Sequence, residues 1–248
     1  MRFSYSRVGC FAQCPMKYKF QYIDKLVTLP DTEASNPLWL GLALHKGIEL
    51  GSVDACLDEY KSHYNVLTDE NINWMIQLEY QLPKVLEVLP PGGEHEIKIE
   101  TDGFVGFIDY LVGDTIYDFK FSNNIDSYLT SPQLSIYKSY LEKVRPDVKV
   151  NHLKYIFVPK VGIRQKLKAK PPETLMEFRN RMLEHLEATE IKVIEVEYDE
   201  SSVAQFNDCC KYIDQCKTFP KNEGKLCAWC QYERYCKNGE DWMILTEP

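Results

Sequence analysis

The sequence predicts an α/β fold: a small mixed sheet flanked by helices, in one domain spanning residues 1–248. Three observations predict it. Residues 94–120 read as a three-stranded meander, turning at Thr101-Asp102-Gly103 and at Gly113-Asp114. Beyond it, strand patterns at 152–159 and 191–198 are interleaved with helical patterns starting at Ser131 and covering about 172–189 and 200–218. The 248 residues, 44% apolar and 27% charged, have the composition of an ordinary globular chain with a sizeable core.

The amino-terminal 29 residues read as helical and aromatic-rich. Pro15 suits a first helical position, which places Cys14 near an N-cap, where free N–H groups stabilise a thiolate. Cys14 is thus a candidate ligand, and Cys10 one turn earlier reads better as a small buried hydrophobe. Pro30 to Pro37 is a polar loop. Leu38 to Glu49 reads as a buried helix in which His45 and Glu49, four apart, share a face. Residues 53–89 form one or two amphipathic helices, interrupted near Leu67-Thr68-Asp69, and Pro90-Pro91-Gly92-Gly93 ends them. In the strand Glu94 to Glu100, Glu96, Lys98 and Glu100 alternate with Ile97 and Ile99.

The hairpin Gly106–Lys120 carries the chemistry. Gly113-Asp114 suits a type II′ turn, which pairs Val112 with Thr115 and sets Asp109 opposite Asp118. Two like charges on one face repel, and a divalent cation turns that repulsion into attraction. Lys120 shares the face of Asp118. Two carboxylates, a cation and an ammonium are an apparatus for hydrolysing a phosphodiester. His45 is a candidate nitrogen ligand to the same ion, which favours Mn²⁺ somewhat over Mg²⁺. Glu96 can approach from the neighbouring strand. On the helix after Ser131-Pro132, Gln133 and Tyr137 share one face and can bond a phosphate or orient the lysine.

Net charge is −8, but residues 138–170 hold ten Lys or Arg against two acids, a local balance of +8 that leaves −16 elsewhere. The asymmetry predicts a basic stripe on an acidic body, with Lys160–Lys170 as its phosphate-contacting arm. The longest apolar run, Leu38 to Leu44, is too short to span a bilayer, and Met1-Arg2-Phe3-Ser4 begins no signal peptide, so a cytoplasmic protein without membrane contact is expected. Nine cysteines in that compartment do not suggest a disulfide framework. Cys209, Cys210 and Cys216 read as packing residues. Cys227, Cys230 and Cys236, spaced C-x2-C-x5-C, can converge on one metal centre; zinc, an iron–sulfur cluster and a structural disulfide all remain open.

Six blocks occur in order: Cys14-Pro15 in an aromatic helix, Gly41-x3-His45-x3-Glu49, Gly106-Phe-Ile-Asp109, Asp118-Phe-Lys120, Gln133-x3-Tyr137 and the Cys227/Cys230/Cys236 trio. Through them the chain, from Ser4 to Cys236, resembles the RecB-like branch of the PD-(D/E)XK nuclease superfamily, closest to the iron–sulfur group that includes the CRISPR-associated RecB-like exonucleases and the AddB nuclease domain. The resemblance implies a restriction-endonuclease-like core. It implies Mg²⁺ or Mn²⁺ on His45, Asp109 and Asp118 with the Phe119 carbonyl near, Lys120 as catalytic lysine, Gln133 and Tyr137 supporting it, and Glu96 as a further catalytic position. It implies a 4Fe-4S cluster on Cys14, Cys227, Cys230 and Cys236 that joins the termini, with 1–29 and 219–240 as its subregion. The function expected is metal-dependent DNA hydrolysis, exonucleolytic and on single strands or ends. The alternative is a nonenzymatic DNA-binding or adaptor subunit. The chain has no Walker A loop, so unwinding falls to a partner: a helicase, a recombination complex or the CRISPR adaptation machinery.

Overall fold

A computed structural model describes residues 1–29, 31–240 and 244–246 of the chain. Pro30, at the start of the expected polar loop, and the last part of the 1–248 span lie outside the described residues. A five-stranded sheet runs in the order β2 (Glu94–Glu100), β3 (Val105–Val112), β4 (Thr115–Phe121), β5 (His152–Val158), β6 (Lys192–Val196). The first three strands form the expected antiparallel meander. β4 and β5 are parallel and are joined through α7 (Gln133–Val144); β6 returns antiparallel to β5. The sheet is therefore mixed, as expected.

Helices cover both faces because the central strands are apolar on both. On one face α1 (Tyr5–Gln13), α7 and α9 (Glu200–Gln215) bury Val8, Leu134, Leu141, Phe206 and Ile213 against Ile116, Tyr155 and Phe157. On the other, α3 (Pro37–Leu50), α4 (Val53–Ser62) and α5 (Asp69–Val88) bury Leu40, Leu44, Tyr60 and Leu82 against Tyr117, Phe119 and Ile156. α3 starts where Asn36 caps Leu38 N–H ahead of Pro37, and it stops at Gly51, whose φ of +59° a side chain would resist. α5 begins with a Thr68/Asn71 capping box at the interruption the sequence marks. α8 (Leu175–Glu187) encloses a smaller core around Val161, Phe178 and Met182.

Three expectations are corrected. Residues 26–28 leave the helical register: after α2 (Pro15–Tyr18) and a π-helical turn at Lys19–Ile23, β1 (Leu26–Thr28) pairs with β7 (Ile244–Thr246). α7 begins one residue late, with Pro132 as its cap and the Ser131 hydroxyl accepting from Gln133 N–H. Cys209 is exposed rather than packed, because it faces outward on α9, while Cys210 contacts the core. No helix among the described residues is long and apolar enough to cross a membrane.

Candidate metal centre and its surroundings

The site begins with a fault in the sheet. The β3–β4 turn places Gly113 at φ +58°, and Val112↔Thr115, Leu111↔Ile116 and Tyr110↔Tyr117 pair in the expected register. The ladder then stops, one pair short of Asp109 and Asp118. On the other side, β2–β3 pairing runs through His95↔Tyr110, omits Glu96 and Asp109, and resumes at Ile97↔Ile108. Residues two apart in a strand should share a face. Here Ile108 lies in one core and Tyr110 in the other, so the strand turns over at Asp109. Glu96 absorbs the same twist with a φ of +50°, a conformation that costs a non-glycine residue of order 1–3 kcal/mol. Backbone pairing is surrendered on both sides of one buried aspartate.

Asp109 is held by what the open ladder releases. The Phe119 N–H donates to Asp109 Oδ2 at 2.8 Å. The Phe119 carbonyl lies 3.2 Å from His45 Nε2, which α3 lowers toward the strand. His45 Nδ1 is 3.6 Å from Asp109 Oδ1 and 3.8 Å from Glu96 Oε1, too long for hydrogen bonds. His45, Glu96 and Asp109 each present a ligand atom within 4.8 Å of the others, the one such group of three among the described residues. Glu96, expected only to approach from the neighbouring strand, is thus a member of the group itself. Asp118 stands apart from this trio: its Oδ2 meets the Lys120 ammonium at 2.5 Å.

The electrostatics fit a cation. Asp118 is 1% exposed, and its Oδ2 is met by the Lys120 ammonium alone. Burial and the Asp118 charge push the Asp109 carboxyl up to about 7. Burial works to lower His45, but the charges of Asp109 and Asp118, with Glu96 beside it, outweigh burial and raise it to about 9. Burial opposes the charge of Lys120 too, and Asp118 more than restores it. A buried carboxyl this reluctant to ionise, beside a second buried carboxylate with one ammonium as partner, suits a hard divalent ion with oxygen and imidazole ligands.

Gln133 and Tyr137 are hydrogen-bonded to each other, Nε2 to Oη at 3.2 Å, on the side of the sheet that carries Asp118. Neither is hydrogen-bonded to Lys120. Its ammonium lies instead 5.3 Å from the Tyr128 ring and 5.9 Å from that of Tyr155. Sequence reasoning missed both tyrosines. Tyr155 pairs with Asp118 across the parallel strands, a register the sequence does not state.

Cys14 caps α2 ahead of Pro15, as expected. Cys14, Cys227, Cys230 and Cys236 all line one cavity of about 500 Å³ between the amino-terminal helices and the carboxy-terminal segment. Cys10 is not among its lining residues and packs against the main core. Of the basic segment, Arg145 pairs with Glu94 and Lys154 with Glu195, so part of its charge is neutralised by neighbouring elements.

A family model described as the PD-(D/E)XK nuclease superfamily matches residues 2–237. No curated protein matches the sequence. Among solved structures, the crystal structure of a "Putative exonuclease" from Eubacterium rectale is similar, with a TM-score of 0.52 at 13% identity over 100% of this chain and 90% of that one. At that identity the likeness speaks for the fold. With the matched span enclosing the broken ladder, its carboxylates and Lys120, the chain belongs to the PD-(D/E)XK nuclease superfamily.

Proposed function

We propose that this nuclease is a metal-dependent deoxyribonuclease of the RecB-like branch, a single domain that removes nucleotides from single strands or ends. The observation that carries the reading is the convergence of His45, Glu96 and Asp109 where the sheet is unpaired on both sides, with Lys120 held against Asp118 one residue beyond Phe119. His45, Asp109 and Asp118 with the Phe119 carbonyl, joined by Glu96, would hold Mn²⁺ or Mg²⁺. That ion supplies an activated water and a Lewis acid for the phosphate. The Phe119 N–H fixes the Asp109 carboxylate, and the Lys120 ammonium faces charge that grows on the phosphate. Gln133 and Tyr137 stiffen the helix face behind Asp118.

The four cysteines around the 500 Å³ cavity support a 4Fe-4S cluster that clasps the termini. A tetrahedral zinc on the same four sulfurs is the competing occupant, and metal analysis of protein purified without air separates the two. The experiment is cleavage of labelled single-stranded DNA with Mn²⁺ and with EDTA. Wild type should cleave only with the metal, and Asp118→Ala and Lys120→Ala should bind DNA without cutting it. Full turnover by both variants refutes the site; binding without cleavage by wild type supports the adaptor alternative.

A further inference from the structure

Lys160 follows β5 by two residues and begins the basic segment that ends at Lys170. Its ammonium is half-buried, 4.9 Å from the Phe121 ring and 5.6 Å from that of Trp74. Desolvation lowers its pKa, and no charged partner opposes the shift. Among the described residues it has neither a carboxylate nor a hydrogen-bond acceptor. Other inward-drawn cations do. Lys84 donates to Leu186 O at 2.7 Å and Thr189 O at 2.8 Å, Lys138 to Val150 O, and Arg181 to both oxygens of Glu173. The two ring faces offset part of the desolvation, but the N–H groups of this half-dry ammonium have no acceptor, which is costly for stability alone.

Its backbone is nevertheless held by side-chain amides from three other positions. Asn123 donates to Lys160 O at 2.8 Å and accepts from Lys160 N–H at 2.7 Å. On either side, Gln81 donates to Pro159 O at 2.9 Å, and Gln77 accepts from Val161 N–H at 2.8 Å. Gln77 and Gln81 are buried, so these amides are committed to the task. Asn123 lies three residues after Lys120, and Phe121 lies two residues, about 6.8 Å, beyond Phe119, whose N–H and carbonyl meet Asp109 and His45. A rigidly presented, unpaired cation therefore stands beside the end of the catalytic strand, on the α3–α5 side of the sheet.

Resting on the nuclease reading, we propose that Lys160 binds a non-scissile phosphate of the DNA strand next to the metal centre, and that Asn123 is the positioning residue that aims it. The test is equilibrium binding of fluorescein-labelled oligodeoxythymidine by anisotropy in EDTA, where nothing is cut, at a series of salt concentrations. Lys160→Met should bind more weakly, and its plot of log affinity against log salt should be shallower by about 0.7, one phosphate contact on a single strand. Lys160→Arg should restore the slope. Asn123→Ala keeps the charge and should weaken binding while the fold melts normally. An unchanged slope and affinity in Lys160→Met would overturn the proposal. So would a Lys160→Met protein that fails to fold, since that makes the lysine a packing residue. Cleavage by wild type in Mn²⁺ is read separately, so failure of the nuclease reading stays distinguishable from failure of this contact.

Discussion

Gly47→Ala is the sharpest probe of how the site is held, because the clash can be worked out atom by atom. Gly47 lies on α3 two residues after His45 and is buried against α4 and α5. A Cβ built there would lie 2.6 Å from Cys56 Cβ and 2.7 Å from Leu82 Cδ2, where ordinary contact is 3.4–4 Å. Both neighbours are fully buried, so neither has space to retreat. The helix must move by about 1 Å, at a cost of about 1–3 kcal/mol for an overfilled core. Alanine's helix propensity returns about 1 kcal/mol. The net expectation is a loss of up to about 2 kcal/mol, or up to roughly 8 °C in Tm for a chain of this size. Gly41→Ala on the same helix meets nothing within 4 Å and should instead stabilise by up to about 1 kcal/mol. The consequence for function is larger. His45 is carried by the displaced helix, and a 1 Å misplacement of a reacting constellation can cost about 100-fold in rate. Urea unfolding followed by circular dichroism, beside a cleavage assay of the same samples, measures both. A Gly47→Ala protein as stable and as active as wild type would refute the claim that close packing of α3 sets the position of His45.

Two further outcomes are expected. In metal-free buffer the contribution of the site to wild-type stability should fall as pH rises from about 5 to 9. Asp109 is raised to about 7, so its ionisation opposes folding as pH climbs from the ordinary carboxylate range toward that value. His45 is raised to about 9, so the stability it gives when protonated is lost as pH climbs through that value. Asp109→Asn should flatten the acidic half of the urea-unfolding profile, and Mn²⁺ should raise Tm more at pH 8 than at pH 5; a parallel profile for the variant sinks the argument. Cys227→Ser, purified without air, should lose brown colour and solubility together, and a colourless wild type loaded with zinc would overturn the cluster.

Most of the fold was legible because its signals are local. Alternation marked β2 and β5, Gly113-Asp114 set the hairpin register, and Thr68 capped α5 where the pattern broke. The candidate residues were legible for the same reason, as carboxylates one pleat from an ammonium and a histidine on a helix face. β7, the open ladder at Asp109 and the strain at Glu96 were not, because each depends on strands far apart in the chain.

What the sequence determined on its own is the chemistry on offer: two aspartates and a lysine on a hairpin, a histidine on α3, four cysteines near the ends. What only the tertiary structure decided is which of them meet. Glu96 joins His45 and Asp109 because the sheet turns over between them, Asp118 faces Lys120 instead, and Lys160 acquires a role because three amides from distant segments hold it still. Periodicity fixes what a residue can face within its own element. Burial, desolvation and the pairing given up by the backbone are properties of elements brought together, and these set the charge balance at the site.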